Sequence, residues 1–73
     1  GGTVPCVLNA ANEISVSVFL DKRIDFVSIP EIIAKVMKRH HNVKEPSLRD
    51  ILDTDSWARK ETEKIIEGAS NVC

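Results

Sequence analysis

The fold is decided first by residues 5–20, which read PCVLNAANEISVSVFL. Apolar side chains recur in this stretch at spacings of three, four and seven, which is the repeat of one helix face. Thr3 is placed to cap this helix, and Pro5 suits its first turn. Val16 and Leu20 lie outside this stripe, so apolar side chains occupy much of the circumference of the helix, as is typical of a central helix. The stripe predicted to be buried comprises Val7, Leu8, Ala11, Ile14, Val18 and Phe19.

A second helix is predicted to begin at Ser28. Ser28 is followed three residues later by Glu31, which is the spacing of a capping box, and Val27 and Ile32 have the spacing of a hydrophobic staple. In this helix and the connection before it, the side chains expected to point inward are Ile24, Phe26, Ile29, Ile32, Ile33, Val36 and Met37.

The last third of the chain predicts a short third helix and a longer fourth one. Ser47 with Asp50 repeats the capping pattern. The polar residues 53–56 compete for backbone groups, which favours a break there, with one kinked rod as the alternative. The fourth helix is expected over residues 56–67 and to end before Gly68. The inward side chains are expected to be Leu48, Ile51, Leu52, Trp57, Ala58 and Ile65, with Ile66 as a further candidate.

These elements predict an all-α fold, a small three- to four-helix bundle that forms a single domain over residues 1–73. The chain has 10 Lys plus Arg against 11 Asp plus Glu and only three aromatic side chains. That balance gives no electrostatic reason to bind nucleic acid or an anionic membrane. No apolar run approaches the roughly 18 residues of a membrane span. We therefore expect neither nucleic acid nor a membrane as a partner.

The two cysteines, Cys6 and Cys73, lie near opposite ends of the sequence. Small disulfide scaffolds are much denser in cysteine, so both are interpreted as free thiols, with a disulfide between them as the alternative. Cys73 falls in residues 69–73, which are expected to be loose. Free thiols and the lack of a signal peptide favour a cytosolic protein.

The sequence offers no complete catalytic, cofactor or metal site. His40 and His41 are adjacent, so on a helix they point about 100° apart and chelate poorly; we interpret them as a solvated helix end. The acidic group Asp50, Asp53 and Asp55 lacks the glycine and glutamate of a calcium loop, which favours helix capping. A glycine-rich phosphate loop and a nucleophile elbow are also missing from the sequence.

Three polar side chains within the first helix are the unusual feature. Asn9, Asn12 and Glu13 cluster on one face, although asparagine is mildly unfavourable inside helices. One interpretation is a polar face toward water. The other is a hydrogen-bonding face that contacts another domain or the loops of this one, with the small Ala10 and Ala11 permitting close approach.

Several ordered strings resemble a known enzyme family. They are GGTVP at residues 1–5, LNAANE at 8–13, IDFVSIP at 24–30, PSLRDIL at 46–52 and DSWAR at 55–59. In this order and spacing, they resemble the C-terminal domain of 1-deoxy-D-xylulose 5-phosphate (DXP) reductoisomerase. The resemblance covers nearly the whole chain and implies a four-helix C-terminal domain.

The resemblance also implies a parent enzyme of non-mevalonate isoprenoid biosynthesis. Such an enzyme converts DXP to 2-C-methyl-D-erythritol 4-phosphate with NADPH and Mg²⁺ or Mn²⁺, as a homodimer in the bacterial cytoplasm or in a plastid. No catalytic residue of the family maps to this chain, whose partners are then the parent's remaining domains. The alternative is an independent helical module that binds a partner helix through the apolar second helix.

Overall fold

Three helices form the bundle within the part of the chain that the structure describes. The structure is a computed structural model that describes residues 2–70. The helices are α1 (Val4–Leu20), α2 (Ser28–Arg39) and α3 (Leu48–Ser70), and no strand occurs in this range. The all-α prediction is confirmed. None of the helices within residues 2–70 is both long enough and apolar enough to cross a membrane.

The helices alternate in direction. Cys6 Sγ lies 3.6 Å from the carbonyl oxygen of Ile51, and Arg59 Nη2 lies 3.3 Å from Glu13 Oε2. These two contacts run in the same order along both helices, so α1 and α3 are parallel. The start of α1 contacts the residue after the end of α2, because Thr3 Oγ1 lies 2.7 Å from His40 Nε2. Hence α2 is antiparallel to both.

The core lies along the axis where the three helices meet. The sequence pattern predicted most of its members correctly, and the small Ala10, Ala11 and Ala58 let the helices approach closely. Ile14, Ile24, Ile33, Met37 and Trp57 pack against its edge and are only partly buried. The buried cluster comprises Val7, Ala10, Ala11, Val18, Ile32, Val36, Ala58, Ile65 and Ile66.

The predicted break between a third and a fourth helix is wrong, because α3 is continuous. The acidic side chains of the polar run are paired with arginines one helical turn away: Arg49 Nε with Asp53 Oδ1 at 3.4 Å, and Arg59 Nε with Asp55 Oδ2 at 2.9 Å. Carboxylates engaged in this way do not compete for backbone groups. The helix also continues through Gly68 to residue 70. The prediction of a loose tail is therefore wrong for residues 69–70, and its remaining residues, 71–73, lie outside the described residues.

Only one of the predicted caps is confirmed. The Asp50 backbone N–H donates to Ser47 Oγ and the Ser47 N–H donates to Asp50 Oδ2, both at 3.0 Å, which is a reciprocal capping box. Ser28 is already the first residue of α2, after Val27, and makes no side-chain cap bond there. Thr3 does not cap α1 either, because its hydroxyl is bonded elsewhere.

Several side chains that were predicted to be buried are exposed. Phe26 is 68% exposed and contacts Phe19 edge to face at 5.6 Å between ring centroids. It therefore covers Phe19 from outside and does not close the core, and the exposed Val27 forms no buried staple. The other exceptions are Leu8 on α1 and Leu48, Ile51 and Leu52 in the first turns of α3.

Candidate domain-contact surface

The solvent side of α1 carries both polar and apolar side chains. We define the α1 outer face as Asn9, Asn12, Glu13, Val16 and Leu20, whose spacing of three or four residues places them on one side of the helix. Leu20 is 70% exposed, Val16 is half-buried, and the other three are exposed. The face therefore contains the three predicted contact residues together with two aliphatic residues, Val16 and Leu20, that do not belong to the buried stripe.

Two of the predicted residues are held in a network that reaches α3. Asn9 Nδ2 donates to Glu13 Oε2 at 2.8 Å, and Arg59 Nη2 donates to the same oxygen at 3.3 Å. Arg59 Nε donates to Asp55 Oδ2 at 2.9 Å, and this hydrogen bond raises the pKa of the guanidinium. One oxygen of Glu13 thereby accepts two hydrogen bonds, and Arg59 partly neutralises its charge. This network lies within the domain, between α1 and α3, and the contact of Asn9, Asn12 and Glu13 with another domain stays a prediction.

Asn12 lies one turn along the same face, beside a shallow open cleft. The cleft has a volume of about 460 Å³ and is lined by Asn12, Glu13, Val16, Ser17, Leu20 and Asp21. A second open cleft of about 420 Å³ adjoins it through Leu20 and includes Phe19 and Phe26. The polar cluster thus passes without interruption into an apolar end. One indication of this apolar end was present in the sequence, because Val16 and Leu20 lie outside the stripe of α1 that was predicted to be buried.

A second polar cluster lies at the start of α1 and was not predicted from the sequence. Thr3 is fully buried, and its hydroxyl accepts the Val43 N–H at 3.1 Å and lies 2.7 Å from His40 Nε2. The Thr3 N–H donates to Asn42 Oδ1 at 3.0 Å. Gly2 precedes it with φ +66°, and a Cβ at Gly2 would lie 2.4 Å from the Val43 oxygen. Nothing in the local sequence connects residues almost forty positions apart. We refer to Gly2, Thr3, His40, Asn42 and Val43 as the Thr3 cluster.

The interpretation of the histidine pair as a solvated helix end is therefore wrong for His40. Its ring is half-buried, hydrogen-bonded to Thr3, and 6.0 Å from the Trp57 ring between centroids. Burial lowers the pKa of His40, and the neighbouring charge of His41 lowers it further. His41 is exposed, and both line an open cleft of about 280 Å³ with Asp53, Thr54 and Trp57.

The remaining groups to consider are the Cys6 thiol and the side chains that could bind a metal ion. Burial and the nearby Asp55 raise the pKa of the Cys6 thiol, against a smaller opposite effect of Arg59, so Cys6 is a poor nucleophile at neutral pH. It is free of a disulfide, and Cys73 lies outside the described residues. Within residues 2–70, no three His, Cys, Asp or Glu side chains converge to hold a metal ion.

Comparison with known proteins decides the family. Residues 1–61 match the family described as the DXP reductoisomerase C-terminal domain. The chain belongs to this family. A DXP reductoisomerase from a Synechococcus strain is 51% identical over 69 residues, which cover 94% of this chain and 18% of that protein. The corresponding protein of Acetivibrio thermocellus is 55% identical over 67 residues, 92% of this chain and again 18% of the relative.

The fold comparison agrees with the sequence comparison. The DXP reductoisomerase from Zymomonas mobilis, solved in complex with NADPH, superposes with a TM-score of 0.83 at 40% sequence identity. The match covers 92% of this DXP reductoisomerase C-terminal domain and 18% of the Zymomonas chain. The chain thus spans about a fifth of the length of the relatives that it matches.

Proposed function

We propose that this chain acts as the C-terminal domain of a complete DXP reductoisomerase, which converts DXP to 2-C-methyl-D-erythritol 4-phosphate with NADPH in isoprenoid biosynthesis. The observation that carries the proposal is the family match over residues 1–61, supported by the similar fold in the Zymomonas enzyme. That enzyme was solved with NADPH, which supports the same cofactor for the parent of this domain.

Within that parent, the domain has a structural role. The α1 outer face contacts another part of the enzyme, with Asn9, Asn12 and Glu13 as its polar members. The support is physical: Leu20 is largely exposed on the same face as the asparagines, and Glu13 accepts a hydrogen bond from Arg59. A surface whose polar groups are preordered loses less side-chain entropy when a partner binds.

The catalytic chemistry belongs to the remaining four-fifths of the parent. Within residues 2–70, no three His, Cys, Asp or Glu side chains converge, which supports a site for Mg²⁺ or Mn²⁺ elsewhere in the parent. The sequence also has no glycine-rich dinucleotide loop. We place both NADPH and the divalent ion in the other domains. We further propose a homodimeric parent located in the bacterial cytoplasm or in a plastid.

The test compares the full-length parent with the 73-residue chain. The parent is expected to oxidise NADPH only when DXP and a divalent cation are present, as measured by the absorbance of NADPH. The 73-residue chain is expected to be helical by circular dichroism and to leave NADPH fluorescence unchanged. Saturable binding of NADPH to the helical chain would contradict the structural role, and a parent without DXP-dependent turnover would contradict the enzyme assignment.

The independent interaction module is the less favoured function. It required the apolar face of α2 to be available for a partner helix. Instead, Ile29, Ile32 and Val36 are buried within the bundle. The α2 face is therefore already used by the domain itself, and the family match explains the chain without a separate module.

A further inference from the structure

We infer that the first turns of α3 form the contact surface for the segment of the parent enzyme that directly precedes residue 1. The surface consists of Leu48, Ile51 and Leu52, which we refer to as the α3 patch. The inference rests on the proposed function, because it requires a parent chain upstream. It adds a second contact surface, distinct from the α1 outer face, and specifies which part of the parent covers it.

The α3 patch is apolar and largely uncovered. Leu48 is 72% exposed, Leu52 is 56% exposed and Ile51 is 39% exposed. The same helix buries Ala58, Ile65 and Ile66 further along, whereas the three side chains of the α3 patch at its beginning stay exposed. Three large aliphatic side chains within five residues are a costly arrangement in water, at about 25 cal/mol for each Å² of apolar surface left exposed. Such a cluster indicates a contact site.

The register of the helices places the α3 patch beside the start of the chain. Cys6 meets Ile51 at an offset of 45 residues, and Glu13 meets Arg59 at an offset of 46. Because α1 and α3 are parallel, the same offset puts Thr3 level with Leu48. Any polypeptide that leads into Gly2 therefore reaches the bundle at the end where the α3 patch is exposed.

The Thr3 cluster holds the start of the domain against the end of the bundle. The Thr3 N–H is bonded to Asn42, and its side chain is fully buried. Gly2 is held in a left-handed conformation against the Val43 oxygen, where a Cβ has no room. The backbone at the start of the domain is thus anchored by hydrogen bonds at Thr3 and closely packed at Gly2. An anchored backbone keeps the preceding segment close to the bundle end and raises its effective concentration at the α3 patch.

The size of the α3 patch favours an intramolecular occupant over a second copy of the chain. A stable interface between two proteins buries roughly 800 Å² on each partner. Three aliphatic side chains fall short of that area by themselves. A tethered segment does not have to overcome the translational entropy of association, so a small apolar contact is sufficient.

The experiment measures thiol accessibility in the full-length parent. Leu52→Cys is compared with Val27→Cys, a matched control at the start of α2 that is 66% exposed. Labelling with a maleimide is followed by trypsin digestion and mass spectrometry, which places the two sites in separate peptides, residues 50–59 and 24–35. Rates are normalised to those in urea, so that the intrinsic reactivity of each thiol cancels.

We expect Leu52→Cys to react at least tenfold more slowly than Val27→Cys at every protein concentration. Equal normalised rates would show an open α3 patch and overturn the inference. Protection that disappears on dilution would assign the patch to a second copy and would equally overturn it. Turnover with DXP and NADPH is measured on the same variants. A parent with no turnover refutes the proposed function, whereas an active parent with an unprotected Leu52→Cys refutes only this inference.

Discussion

Thr3→Val tests whether the buried Thr3 hydroxyl holds the bundle end together. Valine has nearly the shape of threonine, so the substitution opens no cavity and removes only the hydroxyl. That hydroxyl accepts the Val43 N–H at 3.1 Å and lies 2.7 Å from His40 Nε2. Removing one partner of a buried hydrogen bond costs about 1–3 kcal/mol when the other group stays unsatisfied. Val43 and His40 retain partial access to water, which places the expected loss near 1–2 kcal/mol.

The measurement is urea unfolding of the 73-residue chain, followed by circular dichroism. Thr62→Val is the matched control, because Thr62 is equally buried but its hydroxyl donates to the Ala58 carbonyl one turn back in the same helix. Such local bonds contribute little or slightly destabilise a helix, so this variant should change the free energy of unfolding by less than about 0.5 kcal/mol. If Thr3→Val costs no more than Thr62→Val, the long-range hydrogen bonds do not stabilise the fold and the reasoning is refuted.

Four further predictions use the same chain. The folded-state pKa of His40 lies below its ordinary value of 6.5, so the unfolded chain binds the proton first as the pH falls. The free energy of unfolding should therefore decrease as the pH drops through 6.5. His40→Gln should make the free energy of unfolding depend less on pH, as measured by urea titrations at several pH values. Arg59→Gln should cost less than about 1 kcal/mol, and the difference should shrink in high salt. Ser15→Ala should be neutral or stabilising by about 1 kcal/mol in thermal unfolding, because the buried Ser15 hydroxyl has no partner among the described residues. Ile66→Ala should cost about 2–5 kcal/mol and Ile51→Ala less than about 1 kcal/mol, and equal losses would contradict the burial described above.

The candidate surface was predictable only in part. Asn9 and Glu13 were recognised because polar side chains four residues apart share a helix face, and that geometry is local. Their partner Arg59 lies 46 residues away from Glu13, and no sequence period relates the two helices. The Thr3 cluster was missed for the same reason. Thr3 was interpreted as a cap from its position, whereas its hydroxyl binds residues beyond the end of α2.

The sequence by itself determined the class of fold and most of the core. Apolar side chains at intervals of three and four select helices, and the longest such stripe had to be buried somewhere. It also determined the capping box of Ser47 and Asp50, since both hydrogen bonds lie within four residues.

Only the tertiary structure decided which apolar residues remain outside. Leu48, Ile51 and Leu52 carry the same periodic signal as Ala58 and Ile65, but they lie level with the first residues of α1, where little of that helix is left to cover them. The continuity of α3, in contrast, has a local cause, because Asp53 and Asp55 pair with arginines four residues away in the same helix. Burial depends on where the neighbouring helices begin and end, and a periodic pattern along one helix does not contain that information.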